Sequence, residues 1–159
     1  MPTLSENPFA VLTAVVAPAI LTNASSVLCL GTANRIARVV DRTRAIAAEL
    51  KTFPAGSAES QGRARQLEQL QVRAQLLLRA LRLFYATIGS FAAAALISVI
   101  GSALAAFDFR VAFHAAAAIG LAIGAVGVIG LVSGCTVMVH ETRLAVQTLT
   151  EEAHGGPVL

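Results

Sequence analysis

The chain has 159 residues, of which 56% are hydrophobic and 13% are charged, against about 25% charged in an ordinary soluble domain. That deficit excludes a conventional water-soluble core, and the modest net charge of +3 conceals a strong asymmetry along the chain. Three stretches free of Asp, Glu, Lys and Arg hold most of the apolar residues: between Glu6 and Arg35, between Arg82 and Asp108, and between Arg110 and Glu141.

Each stretch is long enough to cross a bilayer, because about 20 apolar residues in a helix span a hydrocarbon core of roughly 30 Å. In lipid the backbone must satisfy its own hydrogen bonds, so each stretch is expected to be helical. In chain order the spans are placed at residues 9–33, 83–107 and 111–139, after a short external N-terminus at residues 1–8. A cleaved signal peptide would open on a basic segment, and no Lys or Arg precedes Arg35.

The first span is polar in its inner half. Thr22, Asn23, Ser26 and Cys29 follow Pro18, and Thr22, Ser26 and Cys29 share one helical face. Polar groups at membrane depth face protein or water. These residues therefore either bond to backbone and neighbouring helices or line a path for water and solute.

Residues 34–82 are read as a basic cytosolic helical hairpin, with ten Lys/Arg against four Asp/Glu. Basic residues collect on the cytoplasmic side of membrane segments, so the N-terminus is expected outside and the C-terminus in the cytosol. Ile36, Val40, Thr43, Ala47 and Leu50 recur at helical spacing, as do Leu67, Leu70, Ala74, Leu77 and Leu81. Phe53–Gly62, rich in breakers and caps, separates the two patterns. Two arms of about 20 residues, each roughly 30 Å long, zip their stripes together and continue the first two spans. So thin a hairpin buries little by itself, and neighbouring subunits are expected to cover the remainder.

Within this region Asn34, Arg38, Asp41 and Arg42 lie close together on one face of the first arm, beside Arg35. Asp41 can pair with an arginine one turn away. The cluster reads either as an interfacial anchor for anionic lipid at the cytosolic face or as a polar network at the cytosolic mouth of an assembly. Glu141 leaves the third span at the depth of Arg35 and Arg38, which makes a cross-helix ion pair geometrically available.

The second and third spans are joined by little more than Asp108-Phe109-Arg110, short enough for an antiparallel hairpin. The third span carries Gly120, Gly124, Gly127, Gly130 and Gly134, small residues that let helices approach closely in lipid. Residues 140–159 are read as a cytosolic tail.

The segments Ala17–Leu28 and Asn34–Arg44, and the later Glu141-Thr142-Arg143-Leu144-Ala145, resemble a family of small bacterial three-span membrane proteins catalogued as a domain of unknown function. The resemblance covers roughly residues 8–150, and its specific part is the Asn-Arg…Asp-Arg-x-Arg pattern of residues 34–44. It implies bacterial origin and a membrane location, and it implies no activity.

No enzyme motif is present, and the protein is not expected to be an enzyme, to bind a metal or cofactor, or to bind nucleic acid. His114 and His140 lie near opposite ends of the third span and cannot share a metal. The chain is expected to be an all-α, three-span protein of the bacterial inner membrane, homo-oligomeric, with anionic lipids as partners at the cytosolic face. Two functions fit: an oligomeric channel or small-solute pathway lined by the first span, or a non-conducting interaction or regulatory module whose hairpin binds a protein partner.

Overall fold

The computed structural model describes residues 8–54, 56–107 and 109–155. They form three helices: α1 (Pro8–Leu50), α2 (Ala58–Ala106) and α3 (Arg110–Gly155). There is no strand among the described residues. At about 1.5 Å per residue, helices of 43, 49 and 46 residues have more than twice the length that a hydrocarbon core requires. All three are long and apolar enough to cross a membrane.

Local chemistry explains where the helices begin and end. Proline at position 8 opens α1, where its missing N–H costs nothing. Pro18 lies inside the helix. The carbonyl that this proline leaves without its helical donor is that of Ala14, four residues earlier. The Thr22 hydroxyl donates to the carbonyl of Pro18 itself, at 2.8 Å, and not to the carbonyl that the proline frees.

Beyond α1, Thr52 N–H reaches back to the Glu49 carbonyl at 2.9 Å and tightens the chain as the helix ends. A turn then closes through Ser57 N–H to the Pro54 carbonyl at 3.2 Å. Its third residue, Gly56, has φ 85°, a left-handed conformation that glycine adopts without steric cost. Ser57 caps α2, its Oγ accepting from Ser60 N–H at 3.1 Å. The helix therefore starts at Ala58, and the connection is shorter than the expected tip of Phe53–Gly62; Gly62 lies within α2. Between α2 and α3, Phe107 and Phe109 N–H groups both bond to the Leu104 carbonyl at 3.2 Å. Asp108 lies outside the described residues, as do residues 1–7, Ala55 and 156–159.

The chain divides into two units, one of residues 1–29 and 82–133, the other of residues 30–81 and 134–159. In the first, α2 and α3 are in close contact along the glycines. A Cβ built on Gly120 would stand 3.4 Å from Ile97, and one on Gly127 only 2.7 Å from the Phe91 ring. One on Gly130 would stand 2.7 Å from the Thr87 hydroxyl. Outside this contact the surface is apolar, with Val111 86% and Leu121 77% exposed, while Ser25 and Thr87 are buried. Polar groups inside and aliphatic ones outside invert the pattern of a water-soluble domain.

The second unit has a hydrophobic core of Val39, Ile46, Leu70 and Leu77, with Ile36, Leu67, Ala74 and Met138 packed against it. Three segments supply it, not two. The polar stretch after residue 139 continues as helix to Gly155, and α3 contributes Met138 to the core. The stripe on α2 agrees with the apolar spacing from Leu67 to Leu77; beyond it the buried positions are Ala80 and Phe84, and Leu81 is only half-buried. On α1 the buried positions are Val39 and Ile46, whereas Val40 is 37% exposed and Ala47 only half-buried. Ile46 fills the interface as the smaller Ala47 cannot, and the repeat follows it. No helix breaks at the expected junctions of 33/34, 82/83 or 139/140.

Candidate functional site

Glu141 is the focus of the second unit. It is 2% exposed, and each carboxylate oxygen accepts from a different arginine. Arg35 Nη1 on α1 lies 3.1 Å from Oε2, and Arg73 Nε on α2 lies 3.0 Å from Oε1. Arg35 Nη1 also donates to Thr142 Oγ1 at 3.1 Å, and that hydroxyl donates to the Met138 carbonyl at 2.9 Å. One turn away, Thr32 Oγ1 meets Met138 Sδ at 3.6 Å. One buried acid thus ties the three helical segments together.

The energetics favour keeping all three partners. An isolated buried carboxylate is strongly disfavoured, and its pairing offsets that cost only when its lone pairs are also hydrogen-bonded. Here both oxygens are bonded, and the two guanidinium groups are half-exposed, so they retain contact with water. Two positive charges face one negative charge.

The remaining sequence-selected positions are dispersed. Arg38 Nε donates to the Asn34 carbonyl on its own helix at 3.3 Å. Asn34, Arg38, Asp41 and Arg42 are exposed, and neither Asp41 nor Arg42 makes an ion pair among the described residues. Of the six residues grouped as an inner-interface network, Arg35 and Glu141 are the two that form an ion pair among the described residues, and Arg38 bonds only to the backbone of Asn34. The other described ion pair, Arg63 to Glu49 at 3.2 Å, joins the two arms near their tip.

In the first span the hydroxyls of Thr22, Ser25 and Ser26 donate to the carbonyls of Pro18, Leu21 and Thr22, at 2.8, 2.8 and 2.9 Å. Cys29 is buried, whereas Asn23 and Ser26 are exposed. Thr22, Ser26 and Cys29 keep to one helical face by their spacing of four and three, running from half-buried through exposed to buried along it. Gly120, Gly127 and Gly134 are buried, while Gly124 and Gly130 are half-buried. His114 Nδ1 lies 2.7 Å from the Arg110 carbonyl, to which it donates in its Nδ1–H form, and His140 is exposed. No group of metal-ligating side chains occurs among the described residues.

Arg73 was not singled out by the sequence, although a signal was there. It lies between Leu70 and Leu77 on the apolar stripe, three residues from one and four from the other. An arginine on a buried face requires an acid.

A family model described as "Protein of unknown function (DUF2721)" matches residues 15–151. No curated protein and no solved structure matches the chain.

Proposed function

Because the chain belongs to the DUF2721 family of unknown function, its role must be argued from its own residues, and we propose a bacterial inner-membrane protein that presents a basic helical domain to the cytosol as an interaction or regulatory module. In this reading α1 enters with its N-terminus outside, α2 and α3 follow as a hairpin, and residues 30–81 with 134–159 form the cytosolic part. The excess of Lys and Arg over residues 34–82 supports that orientation.

The observation that carries the reading is the Glu141 clamp. A path leaving the first span past Arg35 would need that arginine free, and it is bonded to Glu141 and Thr142. The hydroxyls of Thr22 and Ser26 are likewise engaged with their own helix. What the clamp favours is a cohesive domain whose exposed Arg42, Arg44, Lys51, Arg65, Arg79 and Arg143 face outward. Such a surface suits anionic headgroups of the adjacent leaflet, each nearby arginine contributing about 1 kcal/mol.

A conducting role retains one specific support: Asn23 and Ser26 are exposed, so a pathway would have to run between copies of the chain. Reporter fusions and bilayer recordings separate these readings. Reporters after Lys51 and after Leu159 should register cytosol, and one in the Asp108 loop the exterior. Purified protein in planar bilayers should be silent, and anionic vesicles should retain labelled domain surface more strongly than neutral ones. Unitary currents abolished by Ser26→Leu would favour the pathway; a cytosolic Asp108 loop would overturn the topology.

A further inference from the structure

Glu141 leaves its two arginines only partly used. Arg35 bonds through Nη1 alone, to Glu141 Oε2 and Thr142 Oγ1, and Arg73 bonds through Nε alone, to Glu141 Oε1. A guanidinium carries N–H groups on all three of its nitrogens. Nε and Nη2 of Arg35 and both Nη groups of Arg73 therefore have no hydrogen-bond partner among the described residues. The carboxylate side chain is enclosed at 3% exposure, whereas the two arginine side chains are 39% and 27% exposed. Both guanidinium groups are anchored to one carboxylate, so they are neighbours with edges left over for water or a ligand.

The charge around them is one-sided. Within four residues of Arg35, Arg73 or Glu141 along the chain, Glu141 is the only acid, while Arg38 and Arg143 add positive charge. The internal carboxylate orients the two arginines without neutralising their surroundings.

We propose that the unused edges of Arg35 and Arg73 form a binding site for a phosphate group, supplied by an anionic phospholipid of the adjacent leaflet. The site deepens the membrane reading given above and rests on it. Three features select this ligand. A guanidinium edge presents parallel N–H groups that match two oxygens of a phosphate. Arg35 and Arg73 are already held by Glu141, so ordering them on binding costs less than ordering an exposed arginine with no ion pair, such as Arg42. Finally, Arg35 is the first charged residue after the charge-free stretch of α1, and Glu141 is the first after that of α3. In the membrane reading the clamp thus stands where the chain meets the headgroups, and basic residues placed there attract anionic lipid.

The test uses the full-length protein in neutral detergent, with bound lipid read by native mass spectrometry. Phosphatidylglycerol is compared with phosphatidylcholine and with glycerophosphoglycerol, which carries the same phosphodiester without acyl chains. Phosphatidylglycerol should bind most tightly. Arg73→Leu should weaken it by about fivefold or more, the worth of one arginine near an anionic surface. Arg73→Lys and Arg35→Lys keep the cation beside Glu141 but lose the planar fork. They should also weaken binding while unfolding at nearly the temperature of the unsubstituted protein, which separates the site from the fold. Arg63→Leu removes the same charge near the hairpin tip and should leave binding unchanged. Equal retention of phosphatidylcholine, an equal loss in Arg63→Leu, or full binding in both lysine variants would overturn the proposal. Glycerophosphoglycerol binding as tightly as phosphatidylglycerol would overturn the lipid source. Reporter fusions keep this failure distinct from that of the membrane reading. Lost lipid selectivity with an external Asp108 loop sinks the site alone, whereas a cytosolic Asp108 loop sinks the reading beneath it.

Discussion

Gly127 of α3 lies so close to Phe91 of α2 that a Cβ added to it would stand 2.7 Å from the aromatic ring and 3.2 Å from the Ser90 Cβ. Phe91 is itself 1% exposed, so its ring is enclosed by other side chains. Gly127→Leu should therefore destabilise the protein, overpacking of this kind costing about 1–3 kcal/mol. Gly31→Ala is the matched control, because nothing lies within 4 Å of its added Cβ. Thermal unfolding in detergent should show a clear loss for the first and, for the second, no loss and a small gain from replacing a helical glycine. Equal behaviour would mean that α2 and α3 do not meet at this glycine.

Removing the arginine partners of Glu141 should be more damaging than removing a surface pair. Arg73→Leu deletes one of the two counter-charges of a buried carboxylate and leaves Oε1 without its donor while Arg35 stays in place, a loss of about 1–3 kcal/mol. Arg63→Leu breaks the pair with Glu49, whose members are both substantially exposed, and should cost about 0–1 kcal/mol. Chemical unfolding of both variants gives the comparison. Glu141→Gln should fall between them, since the amide oxygen still accepts one bond and the two half-exposed arginines remain hydrated.

The seven-residue register of the α1 core is directly testable. Ile46 is 1% exposed and Val40 is 37% exposed. Ile46→Ala should cost about 2–5 kcal/mol as a core truncation, while Val40→Ala should cost little. Ile46→Asp should abolish stable expression, whereas Val40→Asp should be tolerated. If Val40 proved the sensitive position, the core would follow the alternative spacing.

At the connection between α1 and α2, Ser57→Ala removes the acceptor for Ser60 N–H and should cost about 1 kcal/mol. Gly56→Ala imposes a side chain on a backbone with φ 85° and should also destabilise, although open space surrounds it. Gly62→Ala, in the helix and equally unobstructed, should stabilise by about 0.5–1 kcal/mol. Opposite signs at two glycines six residues apart would distinguish turn from helix.

The three long helices were legible because charge-free stretches of such length have few other solutions. The α2 stripe was legible for a related reason: Leu67 and Leu70 stand among Gln, Glu and Arg and set the register that selects Leu77 from Leu76, Leu77 and Leu78. On α1 the pairs Val39–Val40 and Ile46–Ala47 place apolar residues side by side, and periodicity alone accepts either member. Volume favours Ile46 over Ala47, but Val39 and Val40 are identical, and only the packed neighbours decide which of the two is buried. The helical continuation of α3 was missed because Glu141–Glu152 is polar enough to resemble a tail, yet no breaker interrupts it before Gly155. Arg35 and Glu141 could be paired by depth. Arg73 could not, since its depth depends on how α2 is registered against α1.

Chains leave the ribosome N-terminus first, and this gives the position of Glu141 a consequence for biosynthesis. Arg35 and Arg73 are made well before the residue that neutralises them, which arrives on the last helix. Until then Arg73 lies between Leu70 and Leu77 with no acid to accept from it. A nascent chain interrupted before α3 is completed is therefore left with an uncompensated cation on an apolar face. The carboxylate acts as a mark of completion: the helices can be drawn together by their apolar residues early, but the charge balance between them closes only when synthesis has passed residue 141.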